Sequence, residues 1–160
     1  MNTKFDRILT LINVSAAVIT AAAALAIPIV LYVDAKSTRT LDVMNDLDSK
    51  ASEIVAEKIR LDDLNKVAGT QRFEPNYIDH KDHYAVQTQV YRLLNLYDYV
   101  CLGGKTNLFS LELIQQMRGD ALRQTWADYG AYIKAHREKS DQSKRAWENC
   151  DSVAAEPMAG

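Results

Sequence analysis

Four residues in the second half of the chain have side chains suited to holding a small anion: Lys105, Thr106, Arg118 and Arg123. Lys and Arg donate charge-assisted hydrogen bonds to phosphate, and a Thr hydroxyl adds a neutral one. The two arginines lie in residues 117–147, which carry seven basic residues against four acidic ones. The sequence predicts a ligand-binding site here for a small anion such as a cyclic nucleotide or oligoadenylate. A solvated helix surface would show the same charge pattern.

The run Gly104-Lys105-Thr106 does not belong to a phosphate-binding loop of the P-loop type. That motif places a glycine five residues before its second glycine, and position 99 is Tyr99. The run also follows a predicted helix, whose C-terminal end repels anions. An interhelical turn that touches an anion, or a plain turn, are the two remaining interpretations.

The densest group of metal-ligand residue types is Asp79, His80, Asp82 and His83. Capping of a helix start by Asp82, with exposed histidines, explains the group better than a metal site does, because no second ligand motif accompanies it. No nucleophile-base arrangement is recognisable either. We therefore predict no metal, no cofactor and no enzyme activity.

A long apolar run, Ile8–Val33, contains no charged residue and no histidine. As a helix it would be about 39 Å long, and a bilayer core of about 30 Å takes about 20 residues. The run predicts a single transmembrane helix, with a cleaved signal peptide as the alternative. Small and polar residues at helical spacing on one face predict self-association of this helix: Asn13, Ala17, Thr20 and Ala24.

The predicted fold class is all-α: an N-terminal transmembrane helix, then a long helix compatible with a coiled coil, then a small helical bundle. The predicted regions are a transmembrane anchor at 1–34, a juxtamembrane amphipathic helix at 35–68, a helical soluble domain at 69–150 and a loose tail at 151–160. The heptad-like spacing of apolar residues in 35–68 fits a coiled coil or a helix packed on its own domain.

Within residues 69–150 the pattern predicts a loop around Pro75, a helix from about residue 82 to 102, and a short helix that Ser110 caps. A boundary at Gly119-Asp120 then separates the short helix from the next one. No alternating pattern typical of a strand occurs.

The chain has two cysteines and a formal net charge of −2. The low cysteine count and a slight excess of basic residues after the apolar run favour a cytoplasmic C-terminal domain at the bacterial inner membrane. A single disulfide between the two cysteines is the alternative that the sequence leaves undecided. The net charge excludes a dedicated binder of long nucleic acid.

Several short stretches within residues 92–139 resemble an uncharacterised family of small bacterial and phage proteins with one N-terminal span and a helical domain. The stretches are RLLNLYDYVCL from Arg92, Leu111-Glu112-Leu113, Gly119-Asp120-Ala121-Leu122, Trp126 and Arg137-Glu138-Lys139. The layout also resembles membrane effectors of nucleotide-signalled antiviral defence. The sensing domains common in those effectors are α/β, and this chain departs from them.

Two functions follow from these expectations. The first is an oligomeric membrane effector in phage defence, for example a tetramer, whose helical domain senses a small cyclic nucleotide and which acts on membrane lipid. The second is a membrane-tethered scaffold or accessory subunit that binds a protein partner through aromatic residues.

Overall fold

The computed structural model describes the backbone of residues 3–155 and the side chains of residue 24 and residues 26–155. The chain divides into two compact units, Met1–Thr38 and Arg39–Gly160. Helix α1 spans Thr3–Leu64 and is followed by a short 3-10 helix, Gly69–Phe73. The remaining helices are α2 (Pro75–Ile78), α3 (Tyr84–Lys105), α4 (Leu111–Glu138) and α5 (Asn149–Ala155). No strand occurs among the described residues, so the all-α part of the predicted fold class is confirmed.

The transmembrane part of the fold-class prediction is contradicted. In the part of the chain that the structure describes, no helix combines the length and the apolar character needed to cross a membrane. The described apolar stretch of α1 ends at Val33, because Asp34 and Lys36 begin a charged segment. Most of the predicted span, residues 8–23 and 25, lies outside the residues whose side chains are described. The single-pass placement in the inner membrane therefore loses its support.

The second half of α1 packs against the domain that follows it. Met44, Leu47 and Ile54 repeat at helical spacing and are almost completely buried in the core. The hydroxyl of Thr40, which is also buried, accepts a hydrogen bond from the backbone N–H of Ser110 at 2.8 Å. The apolar face that is compatible with a coiled coil is thus covered by the rest of the same chain.

The predicted loop at residues 69–81 contains two short helices. Pro75 begins α2, where its missing N–H costs nothing. Helix α3 begins at Tyr84 with His83 as its N-cap, and no side chain caps it, so the expected cap by Asp82 is wrong.

The turn 106–110 joins helix α3 to helix α4, and the predicted end of α3 at about residue 102 needs correction. Helix α3 continues through Gly103 and Gly104 and ends at Lys105. Gly103 is required for packing, since a Cβ there would lie 2.1 Å from the Phe109 ring. Ser110 caps α4 as expected, accepting from the N–H of Leu113 at 3.4 Å.

Helix α4 is one unbroken helix of 28 residues, so the predicted boundary at Gly119-Asp120 does not exist. Gly119 is buried in the middle of this helix. The apolar residues around it supply enough tertiary packing to override the weak helix propensity of a single glycine. The core is formed between the second half of α1, α3, α4 and α5.

Residues 151–155 belong to α5 and are not part of a loose tail. Val153 is buried in the core, and a disulfide joins Cys150 to Cys101 of α3. Residues 156–160 lie outside the described part of the chain.

Candidate functional site: an open cleft along helix α4

An open cleft lies along the second half of α4 and has a volume of about 790 Å³, within the range of small-molecule sites. It is lined by Trp126, Gly130, Ile133, Lys134, Arg137, Glu138, Ser140, Asp141, Lys144 and Asp151. We call it the α4 cleft.

The floor of the α4 cleft is a stripe on one face of the helix. Trp126, Gly130, Ile133 and Arg137 follow each other at spacings of four, three and four residues, which places them on one face. Trp126 is half-buried, and a Cβ at Gly130 would meet no atom within 4 Å. The glycine therefore leaves open space beside an indole ring, at a cost of about 1 kcal/mol in helix propensity relative to alanine.

Asp151 of α5 closes one side of the cleft through three hydrogen bonds. Its carboxylate accepts two from the Arg137 guanidinium, both at 3.0 Å, and one from the Trp126 indole N–H at 3.2 Å. The Nε of Arg137 also donates to the carbonyl of Ala146 at 2.8 Å. This bidentate geometry fixes Arg137 and orients the indole ring.

The cations of the α4 cleft differ in how far they are already neutralised. Arg137 is paired with Asp151, and Lys144 forms an ion pair with Asp141 in which both side chains are well exposed. Lys134 is exposed and has no ion-pair partner among the described residues. An exposed pair such as Lys144–Asp141 is weak and exchanges readily with solvent or ligand.

The four predicted ligand-binding residues do not line this cleft. The ammonium of Lys105 donates to the carbonyl of Glu148 at 3.3 Å, and the Thr106 hydroxyl donates to the carbonyl of Leu102 at 2.8 Å. Lys105 and Thr106 thus satisfy backbone carbonyls near the end of α3 and on the segment before α5.

The two predicted arginines are paired with carboxylates at separate places on α4. Arg118 forms a bidentate ion pair with Asp48 of α1, and this contact raises the pKa of the guanidinium. Arg123 pairs with Asp120 one turn earlier on the same helix. Their five-residue separation turns them about 140° apart around α4.

Of the residues predicted to mediate helix association, Asn13, Ala17 and Thr20 lie outside the described side chains. Ala24 is described and is exposed.

The group around His80 forms aromatic and polar contacts. The His83 ring lies 4.8 Å from the His80 ring and 4.7 Å from the Tyr77 ring, and its Nδ1 is 2.8 Å from the Tyr77 carbonyl oxygen. Among the described residues no group of three or more His, Cys, Asp or Glu side chains is arranged to hold a metal ion. Asp79 instead accepts hydrogen bonds from Gln87 at 2.7 Å and from Lys139.

A buried ion pair between Lys58 and Asp62 occurs on α1, and the apolar spacing in 35–68 did not predict it. The Lys58 ammonium donates to Asp62 at 2.7 Å and to the carbonyl of Arg72 at 3.1 Å, and lies 5.4 Å from the centre of the Phe73 ring. Burial lowers the pKa of Lys58, although the contact with Asp62 opposes this. Asp62 also accepts from the Tyr77 hydroxyl at 2.8 Å.

Sequence reasoning included the basic stretch 117–147 but missed the cleft within it. The signal was present as Trp126-Gly130-Ile133-Arg137, an aromatic residue, a gap and a cation on one helical face. Asp151 gave no signal because it was assigned to the tail.

The fold and the cleft define a small all-helical domain with an open site of mixed charge. The chain belongs to the family described as a domain of unknown function, DUF4760, whose model matches residues 11–156. This match confirms the resemblance to an uncharacterised family and extends it over most of the chain. It carries no link to defence effectors or to single-span membrane proteins. No curated protein and no solved structure is significantly similar to this chain.

Proposed function

We propose that this domain is a binding module for a small anionic ligand with a flat ring, of the nucleotide type, and that the α4 cleft is its site. The observation that carries the proposal is the open space at Gly130 between the half-buried Trp126 and the unpaired Lys134. A ring stacked on an indole gains about 1–3 kcal/mol, and Lys134 supplies a charge for a phosphate.

The charge of the cleft limits the kind of anion. Three cations, Lys134, Arg137 and Lys144, face the three carboxylates of Glu138, Asp141 and Asp151. The formal charge of the lining is therefore zero. A ligand with one or two negative charges fits this balance better than a long oligoadenylate, whose affinity would depend on many phosphate contacts.

The proposal keeps the ligand-sensing part of the effector hypothesis and leaves out its membrane part. A role in phage defence stays a proposal, and the identity of the ligand would test it. The α4 cleft lies within one chain and does not require an oligomer.

The test is a titration of the purified full-length chain with adenosine monophosphate, followed by Trp fluorescence. Trp126 lies in the cleft and Trp147 is 5% exposed, so quenching should come from Trp126. Adenosine and inorganic phosphate, titrated separately, measure the contributions of the ring and the anion. We expect the monophosphate to bind more tightly than either.

A matched pair of variants locates the binding. Gly130→Leu places a side chain in the open space and should abolish quenching, whereas Ala131→Leu, at an exposed neighbouring position, should leave it unchanged. Lys134→Gln should weaken binding about tenfold or more, because a hydrogen bond to a charged group contributes about 1.5–3 kcal/mol. Equal affinity of Gly130→Leu and the unmodified protein would refute this site.

A protein-binding role is a second candidate, supported by two partly exposed apolar residues on α1 that line a small cleft. Val55 and Ile59 are 39% and 43% exposed and lie one turn apart. Val55→Ser and Ile59→Ser should leave the titration above unchanged. Loss of a stoichiometric partner from a pull-down with this double variant would favour the second role.

A further inference from the structure

The segment Trp147–Asp151, which we call the strap, connects α3 to the α4 cleft. Five contacts hold it on α3, one of which is the hydrogen bond from Lys105 to the Glu148 carbonyl described above. The Trp147 indole donates to Asn95 at 2.7 Å, and Asn149 donates to Asp98 from its backbone N–H at 2.9 Å and its side chain at 2.8 Å. The fifth contact is covalent, the disulfide between Cys101 and Cys150.

Asp151, the residue after Cys150, contacts α4, whereas Cys150 is bonded to α3. Asp151 is the carboxylate that binds the Arg137 guanidinium and the Trp126 indole N–H. Cys150 is fully buried in the core, as is Cys101. The position of Asp151 is therefore set by a covalent anchor one residue away.

We propose that the Cys101–Cys150 disulfide is a positioning device, which holds Asp151 in the α4 cleft and so sets the shape of that cleft. The effect of the disulfide on the position of the strap is argued from the contacts above. Its effect on ligand binding rests on the proposed function. In the reduced chain only hydrogen bonds hold the strap on α3, and we expect Asp151 to separate from Arg137 and Trp126.

This device assigns the domain to an oxidising environment. Disulfides form and persist where thiols are kept oxidised and are rare in the reducing cytosol. Both sulfurs are buried, so the folded domain shields the bond from reductants. This assignment contrasts with the cytoplasmic position predicted from the low cysteine count.

The experiment compares the ¹⁵N-labelled full-length chain before and after reduction by dithiothreitol. The reaction cleaves one S–S bond and forms two cysteine thiols, while the dithiol gives up two electrons and two protons and closes to its cyclic disulfide. A thiol assay confirms two free thiols. The readout is the indole N–H resonance of Trp126, assigned with the Trp126→Phe variant.

We expect the Trp126 indole resonance of the reduced chain to move to the position that it takes in the oxidised Asp151→Ala variant, while the helical circular dichroism is retained. An unchanged resonance in a chain with two free thiols would overturn the proposal. Global unfolding on reduction, and also in the Cys101→Ala, Cys150→Ala double variant, would overturn it too, since the bond would then hold the whole domain.

Adenosine monophosphate titrations of the same samples separate this inference from the proposed function. Binding to the oxidised chain that is weakened on reduction supports both. If the oxidised chain binds no monophosphate, the proposed function fails, while the Trp126 resonance still decides whether the disulfide positions Asp151.

Discussion

Lys58 and Asp62 lie one helical turn apart on α1, and their side chains are only 5% and 3% exposed. The ammonium group has two hydrogen-bond acceptors and three aromatic rings around it, with ring centres at 5.4 to 6.0 Å. A buried charge is tolerated when it is paired and hydrogen-bonded in this way. The pair ties the last turns of α1 to the segment around Arg72.

Removing one partner of this pair should be strongly destabilising. We expect Asp62→Ala to lower the free energy of unfolding by about 3–5 kcal/mol, because it leaves the Lys58 ammonium buried without its counter-ion. Urea denaturation measures this change. Asp63→Ala, at the exposed neighbouring position, should stay within about 0.5 kcal/mol of the unmodified chain. Equal effects of the two variants would contradict the role of the pair.

His136 predicts a dependence of stability on pH. Burial lowers its pKa below the ordinary value of 6.5, and the nearby Lys139 acts in the same direction. The unfolded chain therefore binds a proton at a higher pH than the folded chain does. Stability should fall as the pH drops below 6.5, and His136→Gln should remove part of that fall. Urea midpoints at pH 7 and pH 5 test this; an identical pH dependence in the variant would contradict it.

The sequence indicated which residues are charged and which lie on a helix, but it did not indicate which residues they contact in the fold. Arg118 was correctly placed in a basic stretch, yet its partner Asp48 is 70 residues away on α1. Local spacing carries no information about such a contact. Lys58 lies within the predicted amphipathic helix 35–68, but the aromatic rings that surround it come from segments beyond residue 72.

At the scale of elements, the end of α3 depends on a close approach that only glycine allows. The Phe109 ring packs directly against Gly103, and the backbone N–H of Phe109 donates to the Gly103 carbonyl at 3.0 Å. The helix continues past Gly103, and a glycine is needed at this position because the Phe109 ring packs against it.

Two glycine-to-alanine substitutions in helices should therefore have opposite effects. Gly103→Ala should destabilise the domain by about 1–3 kcal/mol, because its Cβ would overlap the buried Phe109 ring. Gly119→Ala should be neutral or stabilising by up to about 1 kcal/mol, since the nearest group is the flexible Arg123 guanidinium at 3.3 Å. Thermal unfolding of both variants measures this, and a destabilised Gly119→Ala would contradict it.

The disulfide between α3 and α5 should contribute to the free energy of unfolding of the chain. It links residues 49 apart in sequence, and a closed loop of that length lowers the entropy of the unfolded chain. Its removal should cost about 4 kcal/mol. Urea denaturation of the oxidised and the reduced chain tests this value, and equal midpoints would show that the bond adds nothing to stability.

Helical periodicity predicted most of α3 and the start of α4, because strong apolar spacing decides those elements. It failed at Gly119-Asp120, where a glycine next to an acidic residue imitates a helix boundary. Ile114 and Leu122, before and after Gly119 on α4, are almost completely buried, and a local pattern does not show that packing.

At the scale of the whole molecule, helical periodicity correctly predicted the all-α class. The predicted transmembrane helix is contradicted, because no helix among the described residues is both long enough and apolar enough to cross a membrane. Only the last part of the apolar run, Ala24 and residues 26–33, is described, and these residues are exposed on α1. The α4 cleft was beyond prediction because α4, the 140–144 turn and Asp151 come together only in the folded domain.

The most direct test of the central claim is a map of ¹⁵N chemical shifts in the full-length oxidised chain during titration with adenosine monophosphate. We predict that the Trp126 indole and the Gly130 amide shift saturably together, while the buried Trp147 indole moves little. Saturable shifts that instead centre on Arg118 or Lys105, or no shifts at all, would contradict the assignment of the α4 cleft as the binding site.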